Sequence, residues 1–206
     1  MTREHTLCYS SRVRLIGSSV AVAGGLAVAL AAGCTRDPAP AECPAVAPGD
    51  IVVTEVRGPQ SPDDALGTWI ELYNASDASI DLEGIKIRFR KKDGSSEVPV
   101  LVRRSLIVDP GEYVTLGLVN DDATRPAHID YGFATDFHVG FLPAAAIDVE
   151  ACGVLIDRAI YDVLPKTGTY SFGTSPPTAN DNDVPAGWCT NAMSEGTPKQ
   201  ANPPCP

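Results

Sequence analysis

The sequence predicts an all-β fold, a sandwich of two sheets, and three observations carry that expectation. Glycine and proline number 18 each in 206 residues, and punctuation that dense suits short strands better than long helices. From residue 50 onward apolar residues come in brief runs or alternate with polar ones, the pattern of strands with at least one packed face. Outside the leader no stretch of 12 or more residues carries a helical stripe. Some eight short strands then find their natural solution in two packed sheets. A hydrophobic content of 44% is ordinary for a globular domain and excludes wholesale disorder.

The chain opens with an address. Arg3, Arg12 and Arg14 against Glu4 give a net +2, and residues 15–33 carry no charge. A positive start followed by an apolar run is the form of a secretory signal. Nineteen uncharged residues also approach the length of a membrane span, but four Gly and two Ser make the run weakly apolar for that role. Leu30-Ala31-Ala32-Gly33-Cys34 resembles a bacterial lipobox. That resemblance implies cleavage after Gly33 and acylation of Cys34; the alternative is a plain secretory signal with an incidental cysteine. Each buried CH₂ of an acyl chain contributes about 0.8 kcal/mol, so several chains anchor firmly. The expected organisation is a lipoprotein signal peptide over 1–33, the lipidated Cys34 and a Pro/Ala-rich tether over 34–49, and one domain over 50–206. Proline at 38, 40, 44 and 48 makes the tether extended and semi-rigid, on the order of 45 Å long. Thr35, where an Asp would signal inner-membrane retention, points to the outer membrane, with the domain exposed to the periplasm or cell surface.

Charge excludes a class of partner. The whole chain carries −10, and loss of a +2 leader leaves the mature chain more acidic still. Phosphate backbones need clustered Lys and Arg, so no nucleic acid is expected. Membrane attachment has to come through the lipid rather than through surface charge.

The strands follow in order. Residues 51–56 form a β-branched run stopped by Gly58-Pro59, and 69–73 read Trp-Ile-Glu-Leu-Tyr before an Asn/Ser/Asp turn. Ile85, Ile87 and Phe89 alternate with Lys86, Arg88 and Arg90, which packs one face and solvates the other. Residues 98–102 and 106–108 continue the theme. Asp109-Pro110-Gly111 is a turn with a mechanism, since Pro presets φ and Gly accepts a positive φ. Residues 113–119, 147–149, 154–161 and 170–172 complete the set.

Several of these runs share a family's motifs. Val52-Val53-Thr54-Glu55-Val56, then Trp69-Ile70-Glu71-Leu72-Tyr73-Asn74, then Ile80-Asp81-Leu82-Glu83-Gly84 resemble the opening of a lamin-tail domain, with its "ISEV", "WIELYN" and "VDLSGW" blocks. Val108 to Tyr113, holding Pro110 and Gly111, resembles the "LxPGxY" turn. Gly196-Thr197-Pro198 with Asn202 resembles the closing "TPGxxN", with Lys199 in place of the usual Gly. Ile85 stands where Trp is common. The resemblance implies an immunoglobulin-like β-sandwich, exported and without an active site of its own. By the residues alone, Trp69, Ile70, Leu72 and Tyr73 are core. Glu55 and Glu71 are expected to face solvent or to bond loop backbone, the sharper alternative being a catalytic carboxylate pair.

Cys8 leaves with the leader and Cys34 takes lipid, so Cys43, Cys152, Cys189 and Cys205 remain for two disulfides in an exported chain. Of three connectivities, Cys43–Cys205 with Cys152–Cys189 would tie the domain's ends together, contributing about 5 and 4 kcal/mol in the chain-entropy model. Cys189–Cys205 is the competing pairing, stapling only the tail. None of the four stands at zinc-ligand spacing.

Asp121 and Asp122, and Asp181 and Asp183 beside Asn180 and Asn182, are loop clusters of hard oxygen donors, as is Asp63-Asp64. They are calcium candidates that also read as ordinary turns. His128 and Asp130 with Asp136 and His138 are the residues a small exported hydrolase would use, though no nucleophile elbow or H-E-x-x-H accompanies them. Trp188, in a Pro/Gly loop beside Cys189, is either packed or an exposed anchor. The expectation is a non-catalytic, cofactor-free, lipid-anchored module that binds or scaffolds an envelope protein or glycan. A hydrolase and a calcium-dependent adhesion domain are the alternatives.

Overall fold

A computed structural model describes residues 43–206 apart from 61–63, 143 and 194. The leader, Cys34, most of the tether and Asp63 lie outside the described residues. Twelve strands are described: β1 (Ile51–Arg57), β2 (Trp69–Asn74), β3 (Ile80–Asp81), β4 (Lys86–Arg90), β5 (Val98–Leu101), β6 (Ile107–Val108), β7 (Tyr113–Gly117), β8 (Tyr131–Gly132), β9 (Ala145–Ala151), β10 (Val154–Tyr161), β11 (Thr169–Phe172) and β12 (Trp188–Asn191). One helical turn, α1 (Ala179–Asn182), and a 3₁₀ turn over Pro185–Gly187 precede β12. A six-stranded sheet runs β12-β11-β1-β2-β7-β8, a four-stranded sheet β10-β9-β4-β5, and β3 pairs with β6. Every pairing is antiparallel except β7 with β8. The fold is an immunoglobulin-like β-sandwich.

The core sits between the two large sheets. Val53, Val56, Ile70, Leu72, Val114 and Leu116 from the first meet Ile87, Phe89, Ile147, Val149, Ile156 and Ala159 from the second. Alternation places them there, because successive side chains on a strand point to opposite faces. In β4 that leaves Lys86 and Arg88 half-buried on the outer face, as expected from period two. At one edge Phe89, Phe133, Phe137 and Phe141 meet with centroids 4.8–5.7 Å apart, several edge to face, the arrangement aromatic quadrupoles favour.

The runs read as strands are present with small shifts of boundary, and β3, β8 and β12 join them. β3 and β8 have two residues each, too short for any periodicity. β12 hides behind Pro185-Ala186-Gly187, which reads as loop; its register pairs Phe172 with Trp188 and Thr169 with Asn191. Trp188 is buried, with its ring stacked on Tyr170 at 4.9 Å and its indole N–H donating to the Asn182 carbonyl at 2.6 Å. Packing, not exposure, is its role.

The disulfides correct the favoured pairing. The bonds are Cys43–Cys152 and Cys189–Cys205, not Cys43–Cys205 and Cys152–Cys189. Cys152 sits with Gly153 in the positive-φ turn of the β9–β10 hairpin. There the incoming chain is already held, with Gly49 N–H donating to the Ile156 carbonyl at 2.8 Å. Cys189 lies on the other sheet, where the C-terminal segment returns. Sequence spacing alone carries no record of which hairpin turn meets which terminus.

Candidate functional site

The family motif's two carboxylates lie side by side. A register shift between Val53 and Glu55 in β1 inserts Thr54 as a bulge, and a bulge re-aims the residue that follows it. Glu55 then pairs across the ladder with Glu71 of β2 on one side and Ser171 of β11 on the other, while Glu71 faces Thr115 of β7. Val56, Ile70 and Leu116 neighbour them on the core face. By alternation the polar row therefore occupies the opposite, outer face of the six-stranded sheet.

That face is not open to water. Residues 195–206 cross it as a strap, fastened by Cys189–Cys205, and both glutamates are fully buried. Gly196 is the close approach: a Cβ there would stand 2.9 Å from Glu55 Oε1 and 2.6 Å from Thr169 Cγ2, and its φ is +70°. Thr197 N–H donates to Glu55 Oε2 at 3.2 Å, Ser171 Oγ donates to Oε1 at 2.8 Å, and the Thr169 hydroxyl donates to the same oxygen. Glu71 accepts from Thr54 Oγ1 at 2.8 Å and from Lys199 N–H at 2.7 Å. Asn202 closes the strap, with its Nδ2 donating to the Thr54 carbonyl at 3.0 Å and its Oδ1 accepting from Thr197 Oγ1 at 2.6 Å. Lys199 holds φ +67°, a conformation that favours Gly, and the motif has Gly at this place. Its ammonium reaches Asp130 at 2.7 Å.

The electrostatics follow from burial. Desolvation raises Glu55 above the usual carboxylate range, opposed by its ring of hydroxyl and amide donors. Glu71 is pushed well above that range by burial first and by the Glu55 charge second. With fewer donors, Glu71 is raised further than Glu55, whose ring of donors favours its charged form. Of the two expected placements, solvent-facing or bonded to loop backbone, the second holds: both bond the backbone of the returning tail, and neither reaches solvent while it is docked. The pair has the chemistry of an acid and a base, but the docked strap occupies both groups and covers the face a substrate would need.

A second buried carboxylate fastens the two sheets. Asp157 of β10 accepts from Val53 N–H at 2.7 Å and from Asn182 Nδ2 at 2.8 Å, and burial pushes it up to about 6. Asn182, from the Asn/Asp run, also donates to the Val53 carbonyl at 3.1 Å. Around it Thr178 caps α1 through Asp181 N–H, and Asp183 ends the helix. Sequence reading missed Asp157, whose one signal was an acid inside a strand apolar but for it and the neighbouring Arg158.

The remaining candidates are engaged elsewhere. Asp121 pairs with Arg104 at 2.6 Å and accepts from Gly132 N–H at 3.1 Å, while Asp122 turns its own loop through Thr124. Asp64 holds Arg57. Among the described residues no three His, Cys, Asp or Glu side chains gather as metal ligands. His128 Nε2 lies 2.9 Å from the Leu66 carbonyl, Asp130 holds Lys199, Asp136 pairs with Arg103, and His138 is exposed. These four therefore form no catalytic constellation.

The other motif residues are structural too. Trp69, Ile70, Leu72 and Leu82 are fully buried, and Tyr73 packs on Tyr113 with tilted rings, centroids 4.7 Å apart. Asn74 Nδ2 donates to the Ala78 and Val108 carbonyls at 2.8 Å each. Asp81 accepts from Glu83 and Leu106 N–H. Gly84 and Gly111 hold positive φ, and Asp109-Pro110-Gly111-Glu112 is closed by Glu112 N–H to the Asp109 carbonyl at 3.0 Å.

Two features do face outward. The outer side of the four-stranded sheet carries a charge ladder, in which Arg90 and Arg158 each bond Asp148 at 2.7 Å and Lys86 and Arg88 bond Glu150. Burial works against the Asp148 charge, but the two guanidinium groups outweigh it and hold its carboxyl below the usual range. Beside β5 an apolar cleft of about 270 Å³ is walled by Phe89, Val98, Phe137, Leu142, Ala145 and Tyr161.

The class this geometry defines is an immunoglobulin-like sandwich whose outer polar row is sealed by its own tail. The profile of the Lamin Tail Domain matches residues 44–147, half of the chain, and the protein belongs to the lamin tail domain family. That family is one of non-enzymatic, immunoglobulin-like domains. The closing Gly196-Thr197-Pro198 and Asn202 lie beyond the matched residues, yet they dock on Glu55 and Glu71 within them. No curated protein matches the chain.

Proposed function

We propose that this protein is a lipid-anchored module of the cell envelope that binds or scaffolds an envelope protein or glycan and performs no catalysis. The observation that carries the non-catalytic reading is the sealed pair: the motif's carboxylates serve the fold. Support for export and anchoring comes from the sequence, namely the charged start, the apolar run and Cys34 behind small residues. An acidic domain at the end of a proline-rich tether suits recognition at a distance from the membrane, with the charge ladder and apolar cleft as contact surfaces.

Affinity capture tests the binding half. Residues 35–206 with disulfides intact, immobilised and exposed to solubilised native envelope, are expected to retain a specific protein or glycan, and retention is expected to fall on reduction. Recovery no greater than on a blank matrix would refute it. Metabolic labelling with an alkyne fatty acid tests the anchor: wild type is expected to take label and Cys34→Ala none. A labelled Cys34→Ala chain would overturn the assignment.

A further inference from the structure

We propose that the C-terminal strap is a proton-locked cover: Gly196 to Asn202 stay docked while the buried Glu55–Glu71 pair carries one proton, and the strap lifts as that proton is lost. The geometry is that of two carboxylates on neighbouring strands, fully buried, each taking a backbone N–H from the same strap. Undocking hydrates both groups and lets both ionise. Docking desolvates them, and like charges held together disfavour a second ionisation. Strap closure therefore takes up a proton.

The surrounding charges do not relieve the pair. Arg57, further along β1, bonds Asp64 at 2.5 Å and the Gly67 carbonyl. From β11 come the neutral Thr169 and Ser171, and from β7 Thr115 and Tyr113, the latter raised to about 12 by burial. From β2 comes Tyr73. The strap's own cation, Lys199, turns its ammonium to Asp130 at 2.7 Å, and His128 in that segment meets the Leu66 carbonyl. Burial alone raises Glu71, and the Glu55 charge raises it further.

Cys189–Cys205 makes this a local hinge, because it keeps the end of the strap beside β12 when the middle lifts. The device goes beyond the proposed binding role and does not depend on it. It makes the outer face of the six-stranded sheet an intermittently open, acidic surface.

The test is amide exchange of Thr197 and Lys199 in the oxidised full chain, corrected for intrinsic rates, from pH 5 to 8. Release of one proton on opening multiplies the open population about tenfold per pH unit until the docked pair itself titrates. Glu71→Gln carries the neutral state permanently, so its opening is expected to be independent of pH and at least tenfold rarer at pH 7. Carbonyl-carbon titration of Glu71 in wild type checks the same proton directly and needs no variant to fold. A corrected exchange rate flat with pH in wild type, an equal slope in Glu71→Gln, or a Glu71 carbonyl titrating at its ordinary value would each overturn the proposal.

Discussion

Replacing Glu71 by Gln isolates what its burial costs. Glu71 accepts from Lys199 N–H on one oxygen and from Thr54 on the other. Gln keeps the first acceptor, and its amide can donate to Thr54 Oγ1, so the packing and hydrogen bonds survive. What changes is the proton. Its pKa is raised by burial, so the stability linked to it is complete below the ordinary value of 4.5 and is lost as pH rises toward the folded value. Whatever value it reaches in the fold, taking up that proton costs at most about 3.4 kcal/mol at pH 7, 2.5 pH units at 1.36 kcal/mol each. Gln avoids that cost. Urea midpoints of the oxidised proteins are expected to favour Glu71→Gln at pH 7, by no more than that bound of about 3.4 kcal/mol, and by less than about 0.5 kcal/mol at pH 4.5. The opposite limb belongs to Asp121, Asp136 and Asp148, whose lowered pKa values give stability that is lost as pH falls through them. Equal stabilities of wild type and Glu71→Gln at both pH values, or a less stable variant at pH 7, would mean that Glu71 is ionised in the fold and the reasoning fails.

Two further outcomes follow from the staples and from the backbone. The two disulfides span 109 and 16 residues, so replacing Cys43 and Cys152 by Ala is expected to cost about 5 kcal/mol and replacing Cys189 and Cys205 about 3 kcal/mol in the chain-entropy model. Denaturant titration of each double variant measures this, and the reverse order would show that native contacts of the strap outweigh loop closure. At Lys199, φ +67° inverts the usual ranking of Gly below Ala: Lys199→Gly is expected to be more stable than Lys199→Ala by about 1 kcal/mol. Both variants lose the half-exposed ion pair to Asp130, so comparing their urea midpoints cancels it, and Ala above Gly would contradict the strained backbone.

The sandwich was legible because alternation is a local signal. Ile85, Ile87 and Phe89 against Lys86, Arg88 and Arg90 reveal a strand with one wet face whatever lies beyond it. The candidate site was half legible. The motif placed Glu55 and Glu71 on neighbouring strands, and the Lys at 199 marked a position where Gly is usual. Their burial was not legible, because the groups that bury them stand more than a hundred residues away in sequence: Thr197 against Glu55, Lys199 against Glu71. An acid on a strand reads as solvent-facing unless the covering layer is known. The same distance hid the disulfide pairing, since Cys43 and Cys152 meet only through the return of the N-terminal segment to the β9–β10 turn. β12 was lost for a different reason: Pro185 and Gly187 are loop signals, and the strand begins at the next residue.

An antiparallel sandwich normally keeps the outer face of each sheet wet. Here β1 is buried along its whole length and β2 nearly so, because the tail adds a third, polar layer over the six-stranded sheet. That layer explains why Thr54, Glu55, Glu71, Thr169 and Ser171 occupy positions where exposed strand residues would normally stand. It also bears on where the proposed recognition would fall. The motif that identifies the family is consumed in closing the domain, so its residues report the fold and not the partner. The four-stranded sheet keeps its outer face and its edge cleft accessible, with Lys86, Arg88 and Arg158 partly exposed above the ladder. The contact surface of the proposed partner is therefore to be sought first on that sheet, by substituting the ladder and the cleft while leaving Glu55, Glu71 and the strap untouched.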